Sequence, residues 1–116
     1  MSDAADDPGA GPSTELAHAL EAVAATLEPV PVHEVRDGAV AWSMAGRPIV
    51  MLSGGEASFR LGPEIGSAAS RTLDAAASTL GPDWVAFRPP ILDGHARDRI
   101  EAWFTAAHRR AGPIAP

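Results

Sequence analysis

The chain has 116 residues and a formal net charge of −6 at pH 7, the length of one small domain, which argues against a multidomain enzyme. Hydrophobic residues make up 46% of it, but 24 of them are alanine; the 29 larger apolar side chains suffice for one modest core. Cysteine is absent, which excludes disulfides, thiolate zinc sites and cysteine nucleophiles, and no apolar run approaches the roughly 20 residues of a membrane span.

Residues 1–12 combine Asp3, Asp6 and Asp7 with two glycines and two prolines, so a disordered acidic tail is predicted. That stretch lacks the apolar run of a signal peptide, and a cytoplasmic location is expected. A helix should follow, capped by Ser13 or Thr14, with Leu16, Leu20, Val23 and Leu27 on one stripe and Pro29 and Pro31 stopping it. Strands at 32–36 and 39–44 flank Asp37-Gly38, and strands at 48–53 and 56–61 flank Gly54-Gly55. Both dipeptides are two-residue hairpin signals.

The hairpins set a register. Val35 should face Val40, His33 should face Trp42, Leu52 should face Ala57 and Val50 should face Phe59. Placing all these apolar groups on one side requires Trp42 to pair with Val50. A three-residue loop, Ala45-Gly46-Arg47, would allow that, with Gly46 in the left-handed conformation. Ala41, Ile49 and Met51 then fall on the opposite face.

A second helix is predicted over 63–80, opened by Pro63 and closed by Gly81-Pro82, with Ile65, Ala69, Leu73, Ala76 and Leu80 as its buried stripe. A short strand at 84–88 comes next. Asp93 is placed to cap the last helix, whose Ala96, Ile100, Trp103, Phe104 and Ala107 share a face. The expected fold is α+β: two layers, an antiparallel sheet of about five strands with helices on one face, in the order α-β-β-β-β-α-β-α. It forms one domain over 13–111, with 112–116 frayed.

Charge is uneven along this fold. Residues 1–34 carry seven acids and no Lys or Arg, whereas residues 35–116 carry nine arginines against eight acids. A polyanion gains affinity from cations that release its counterions, so the first third of the chain opposes nucleic-acid binding. The one basic concentration is in the last helix, where Arg97, Arg109 and Arg110 are the candidate nucleic-acid contacts.

The element order, with Gly46-Arg47-Pro48-Ile49-Val50, Phe59-Arg60-Leu61, Gly81-Pro82-Asp83-Trp84-Val85 and Ala106-Ala107-His108-Arg109-Arg110, resembles the MmcQ/YjbR-like family and the related N-terminal domain of TfoX/Sxy competence regulators. The similarity spans roughly residues 14–111. It implies a secretion-chaperone-like or frataxin-like α+β fold. It also implies a DNA-associated regulatory role as one functional expectation, and no catalytic residues.

Among the residues that carry chemistry, His18, His33, His95 and His108 are scattered, without the i, i+4 pairing of a helical zinc site, so no metal or cofactor is expected. His95 with Asp98 reads as an ordinary pair in a first helical turn. Trp84, Arg88 and Arg60 form the candidate ligand-binding group, because an aromatic ring beside guanidinium groups suits an anionic or planar ligand. Ile49, Met51 and Ala41 form the candidate interface, an apolar patch on a sheet face that helices leave bare, through which a homodimer or another protein would dock. No nucleophile, base and oxyanion donor converge in the pattern. The expectation is therefore a non-enzymatic binding module for a small molecule or a protein partner, with the DNA-associated regulator second and an enzyme third.

Overall fold

A computed structural model describes residues 10–36 and 38–111. In chain order the elements are α1 (Ala10–Ala24), β1 (Val32–Arg36), β2 (Ala39–Met44), β3 (Arg47–Ser53), β4 (Glu56–Arg60), α2 (Pro63–Ala69), β5 (Ala75–Ala77), β6 (Trp84–Phe87) and α3 (Gly94–Ala111). The fold is α+β, with the strands in one antiparallel sheet of order β1-β2-β3-β4-β6-β5.

Strand alternation puts His33, Trp42, Val50, Phe59 and Val85 in one cross-strand row, and Val40, Leu52, Ala57 and Phe87 in the next. Apart from the exposed His33 on the edge strand, these rows form the floor of a single core. Its roof comes from Leu16, Leu20 and Ala24 of α1, Ala69 of α2, and Ala96, Ile100, Trp103, Phe104 and Ala107 of α3. Edge-to-face ring pairs tie α3 to the floor: Phe104 with Trp42 at 5.9 Å, and Trp103 with Phe87 at 5.2 Å. Asp93 caps α3 as its position foretells, its Oδ1 accepting from the Ala96 amide at 2.9 Å.

Three expectations need correction. First, α1 begins at Ala10, so residues 10–12 are helical and Ser13 and Thr14 lie inside the helix rather than at its cap. Residues 1–9 of the expected tail, the 112–116 end and Asp37 of the first hairpin lie outside the described residues. The register of that hairpin is as read, with Arg36 opposite Ala39 and Gly38 at φ 81°.

Second, the helix expected over 63–80 stops at Ala69. Ser70 Oγ and Thr72 Oγ1 bond back to the carbonyls of Ser67 and Ala69, competing with the helical ladder. Asp74 turns the chain at φ 65°, and Ala75–Ala77 becomes a sixth strand on the β6 edge. Of the predicted stripe only Ala69 is buried; Ile65, Leu73 and Leu80 are exposed. Alanine's helix preference yields here to an edge that supplies ladder hydrogen bonds.

Third, Trp42 does pair with Val50, but through a different device. Met44 pairs with Arg47, so the turn is only Ala45-Gly46, with φ 52° and 80°. The extra residue sits in the strand instead: the register shifts between Trp42 and Ser43, and Ile49 is passed over. The bulge lies next to Pro48, which has no amide proton to give to a ladder.

No helix among the described residues is long and apolar enough to cross a membrane.

Candidate functional site

The bulge decides where the chain's cations meet. Passed over in the register, Ile49 turns to the helix side, is 1% exposed, and lines a pocket with Met44, Ala107 and Ala111. Ala107 and Ala111 lie one turn apart on α3, and their small side chains leave the space open. The pocket has a volume of about 220 Å³, and Arg47, Arg60 and Arg110 also line it.

Each arginine is delivered by a different element. Arg47 is the first residue of β3, immediately after the left-handed Ala45-Gly46 turn. Arg60 is the last residue of β4, where both the Leu61 and Gly62 amides donate to the Asp83 carbonyl at 2.8 and 2.9 Å, fastening the strand end. Arg110 occupies the last turn of α3, where a cation suits the negative helix end. Its guanidinium lies on the backbone of Gly62: a Cβ there would meet Arg110 Nε at 2.9 Å.

Arg60 Nη2 stands 3.9 Å from Asp83 Oδ2, a loose ion pair. Arg88 pairs with Glu56, and neither Arg47 nor Arg110 has an acidic partner among the described residues. Three arginines among the lining residues of an apolar-floored pocket, two of them exposed and one loosely paired with Asp83, make a concave site of positive potential. A second cavity of similar volume, between Glu15, Leu16, Gly55 and residues 89–92, has a carboxylate as its one charged lining group.

The predicted ligand-binding group is only partly brought together. Trp84 and Arg60 are cross-strand partners. Arg88 lies four residues along the chain from Trp84, about 13 Å at strand rise, and its Nη2 bonds Glu56 Oε1 at 2.6 Å. Trp84, Arg88 and Arg60 therefore do not converge on one ligand.

The predicted interface does not exist as an exposed patch. Ile49 is buried by the bulge, and Ala41, 0% exposed, is flanked by Glu34 and Met51 as its partners on the two neighbouring strands. Met51 alone of the three reaches solvent, and only in part. Further along this face the chain covers itself. Ser78 follows β5 and its Oγ lies 3.3 Å from Ser58 Oγ on β4, so the link crosses Ala86 on β6.

The arginines proposed for nucleic acid do not form one surface. Arg97 and Arg110 are separated by about 20 Å along α3 at helical rise. Arg109 and Arg110 are both exposed, and of the two only Arg110 lines the pocket. His33 packs edge-on against Trp42 at 5.6 Å, with its Nε2 3.4 Å from Glu21 Oε2, and His108 Nε2 lies 2.8 Å from the Pro29 carbonyl. Both serve the packing of α1 and the linker after it.

Arg47 is the pocket arginine that the sequence does not single out, and Arg110 stands in the sequence reading as a nucleic-acid contact. A usable signal exists in hindsight: each pocket arginine adjoins a break in regular structure, at Gly46, at Gly62 and at the end of α3. Comparison with protein-family models, curated proteins and solved structures returns no match.

Proposed function

We propose that the chain is a non-catalytic binding module for a small anionic molecule, held in the pocket lined by Arg47, Arg60 and Arg110. The observation that supports this reading is that arginines from three separate elements line one apolar-floored concavity. Like charges gathered without matching carboxylates repel one another, and a bound anion relieves that repulsion. Guanidinium forks also present paired donors that match carboxylate and phosphate oxygens. At about 220 Å³ the pocket is smaller than most drug-sized sites, which directs the reading to a small ligand.

The test is a melting-temperature series of the full chain with small inorganic and organic anions at low and moderate salt. Stabilisation that saturates with anion concentration, and that falls about tenfold in apparent affinity in Arg47→Gln and in Arg110→Gln, is the expected result. Arg97→Gln should leave it unchanged. No stabilisation by any anion at millimolar concentration would sink the reading. Salt-dependent duplex DNA binding lost in Arg97→Gln would replace it with the nucleic-acid role.

A further inference from the structure

The same pocket has a charge and a size, and together they narrow the anion to one chemical class; this step rests on the anion-binding reading above. Three guanidinium charges set against the single Asp83 carboxylate leave two positive charges at the site. The carboxyl end of α3, reached at Ala111, subtracts roughly half a charge. A carboxylate or a phosphodiester, each with one negative charge, leaves part of this field unmatched. A phosphomonoester, at about −1.5 to −2 near pH 7, matches it.

Size adds the second constraint. A volume of about 220 Å³ leaves room beyond a phosphoryl group held at the arginines. The remaining space faces Met44, Ile49, Ala107 and Ala111, none of which offers a side-chain hydrogen bond. We propose that the Arg47–Arg60–Arg110 pocket takes the dianionic phosphomonoester of a small apolar alcohol, its phosphoryl group on the arginines and its apolar group against Ile49 and the α3 alanines.

Phenyl phosphate, inorganic phosphate and benzoate separate the parts of this proposal when titrated against the full chain by calorimetry at pH 7.5. Phenyl phosphate should bind at least tenfold more tightly than benzoate, which shares its ring but carries one charge. It should also bind several-fold more tightly than inorganic phosphate, which shares its charge but lacks the ring. Ala111→Leu, at a half-buried position, fills the apolar end and should abolish the advantage of phenyl phosphate over phosphate.

Benzoate binding as tightly as phenyl phosphate overturns the dianion assignment and leaves the anion-binding reading standing. Inorganic phosphate matching phenyl phosphate in the unmodified chain, or an advantage that survives Ala111→Leu, overturns the apolar part. Binding of none of the three overturns both this proposal and the reading beneath it. Circular dichroism of the variant, matching that of the parent, guards against loss of fold as the cause.

Discussion

Arg110 and Gly62 are 48 residues apart in the chain and in van der Waals contact in the fold, the arginine's guanidinium resting on the glycine's backbone where a side chain would otherwise stand. Gly62 is buried, with φ 92° and ψ 160°, a conformation open to glycine and closed to residues with a Cβ. Its amide is bonded to the Asp83 carbonyl, so it cannot move aside. The glycine thus gives the last turn of α3 a flat surface against the end of β4 and holds one pocket cation in place.

Gly62→Ala should therefore have two separable effects. Backbone strain should cost about 1–3 kcal/mol, read as a lower urea midpoint at unchanged slope. Displacement of the Arg110 guanidinium should also weaken anion binding. In Arg110→Ala the steric part disappears and the backbone part does not, so the two substitutions should be non-additive in a double-mutant cycle. Strict additivity would mean that the contact carries no energy.

Asp83 offers the opposite manipulation. Its carboxylate stands 3.9 Å from Arg60 in a partly exposed pair, with side chains 27% and 32% accessible, so Asp83→Asn should change stability by no more than about 1 kcal/mol. The bonds that fasten β4 use the Asp83 backbone carbonyl and survive the change. Freed of its counter-ion, Arg60 should raise the affinity for inorganic phosphate several-fold, with a steeper salt dependence. An unchanged or weaker affinity would remove Arg60 from the site.

Much of this arrangement is readable in the chain before any coordinates are seen, and the boundary of what is readable has physical causes. The pairs His33–Trp42, Val50–Phe59 and Leu52–Ala57 follow from two-residue turns and alternation, both local rules, whereas Trp42–Val50 follows only from the demand that the apolar groups share one face. The Asp93 cap and the buried face of α3 follow from helical period. The strand at Ala75–Ala77 does not, because three alanines favour a helix on their own and become a strand only beside β6. Ile49 is the more consequential case. Ladder parity puts it on the far face, and one bulged residue returns it to the core. The pocket inherits that difficulty, since its floor and its three cations converge only once the bulge and the far end of α3 are in place.

Ile49 and Met51 put that correction to a direct test, since simple alternation places both on the same face. Ile49 is fully buried and belongs to the core, so Ile49→Ala should cost about 2–5 kcal/mol. Met51 is half-buried and outside the core cluster, so Met51→Ala should cost clearly less. Equal losses in chemical denaturation would return Ile49 to the outer face and remove the pocket floor.

The truncated α2 is open to the same kind of comparison. A helix running to residue 80 would bury Ile65, Leu73 and Leu80 on one stripe, and each would then behave as a core residue on truncation. With the helix ending at Ala69, Ile65 and Leu73 are 56% and 68% exposed, so Ile65→Ala and Leu73→Ala should each fall within about 0.5 kcal/mol of the parent. Phe104, fully buried and in edge contact with Trp42 and Phe59, sets the scale for a true core position at about 3–5 kcal/mol. Proline separates the two arrangements further. Leu73→Pro would break a continuous helix at a cost of about 3 kcal/mol or more. In the turn between α2 and β5 it should cost much less, because there is no helical ladder at that position to interrupt. A loss at Leu73 comparable to that at Phe104 would restore the long helix and detach β5 from the sheet.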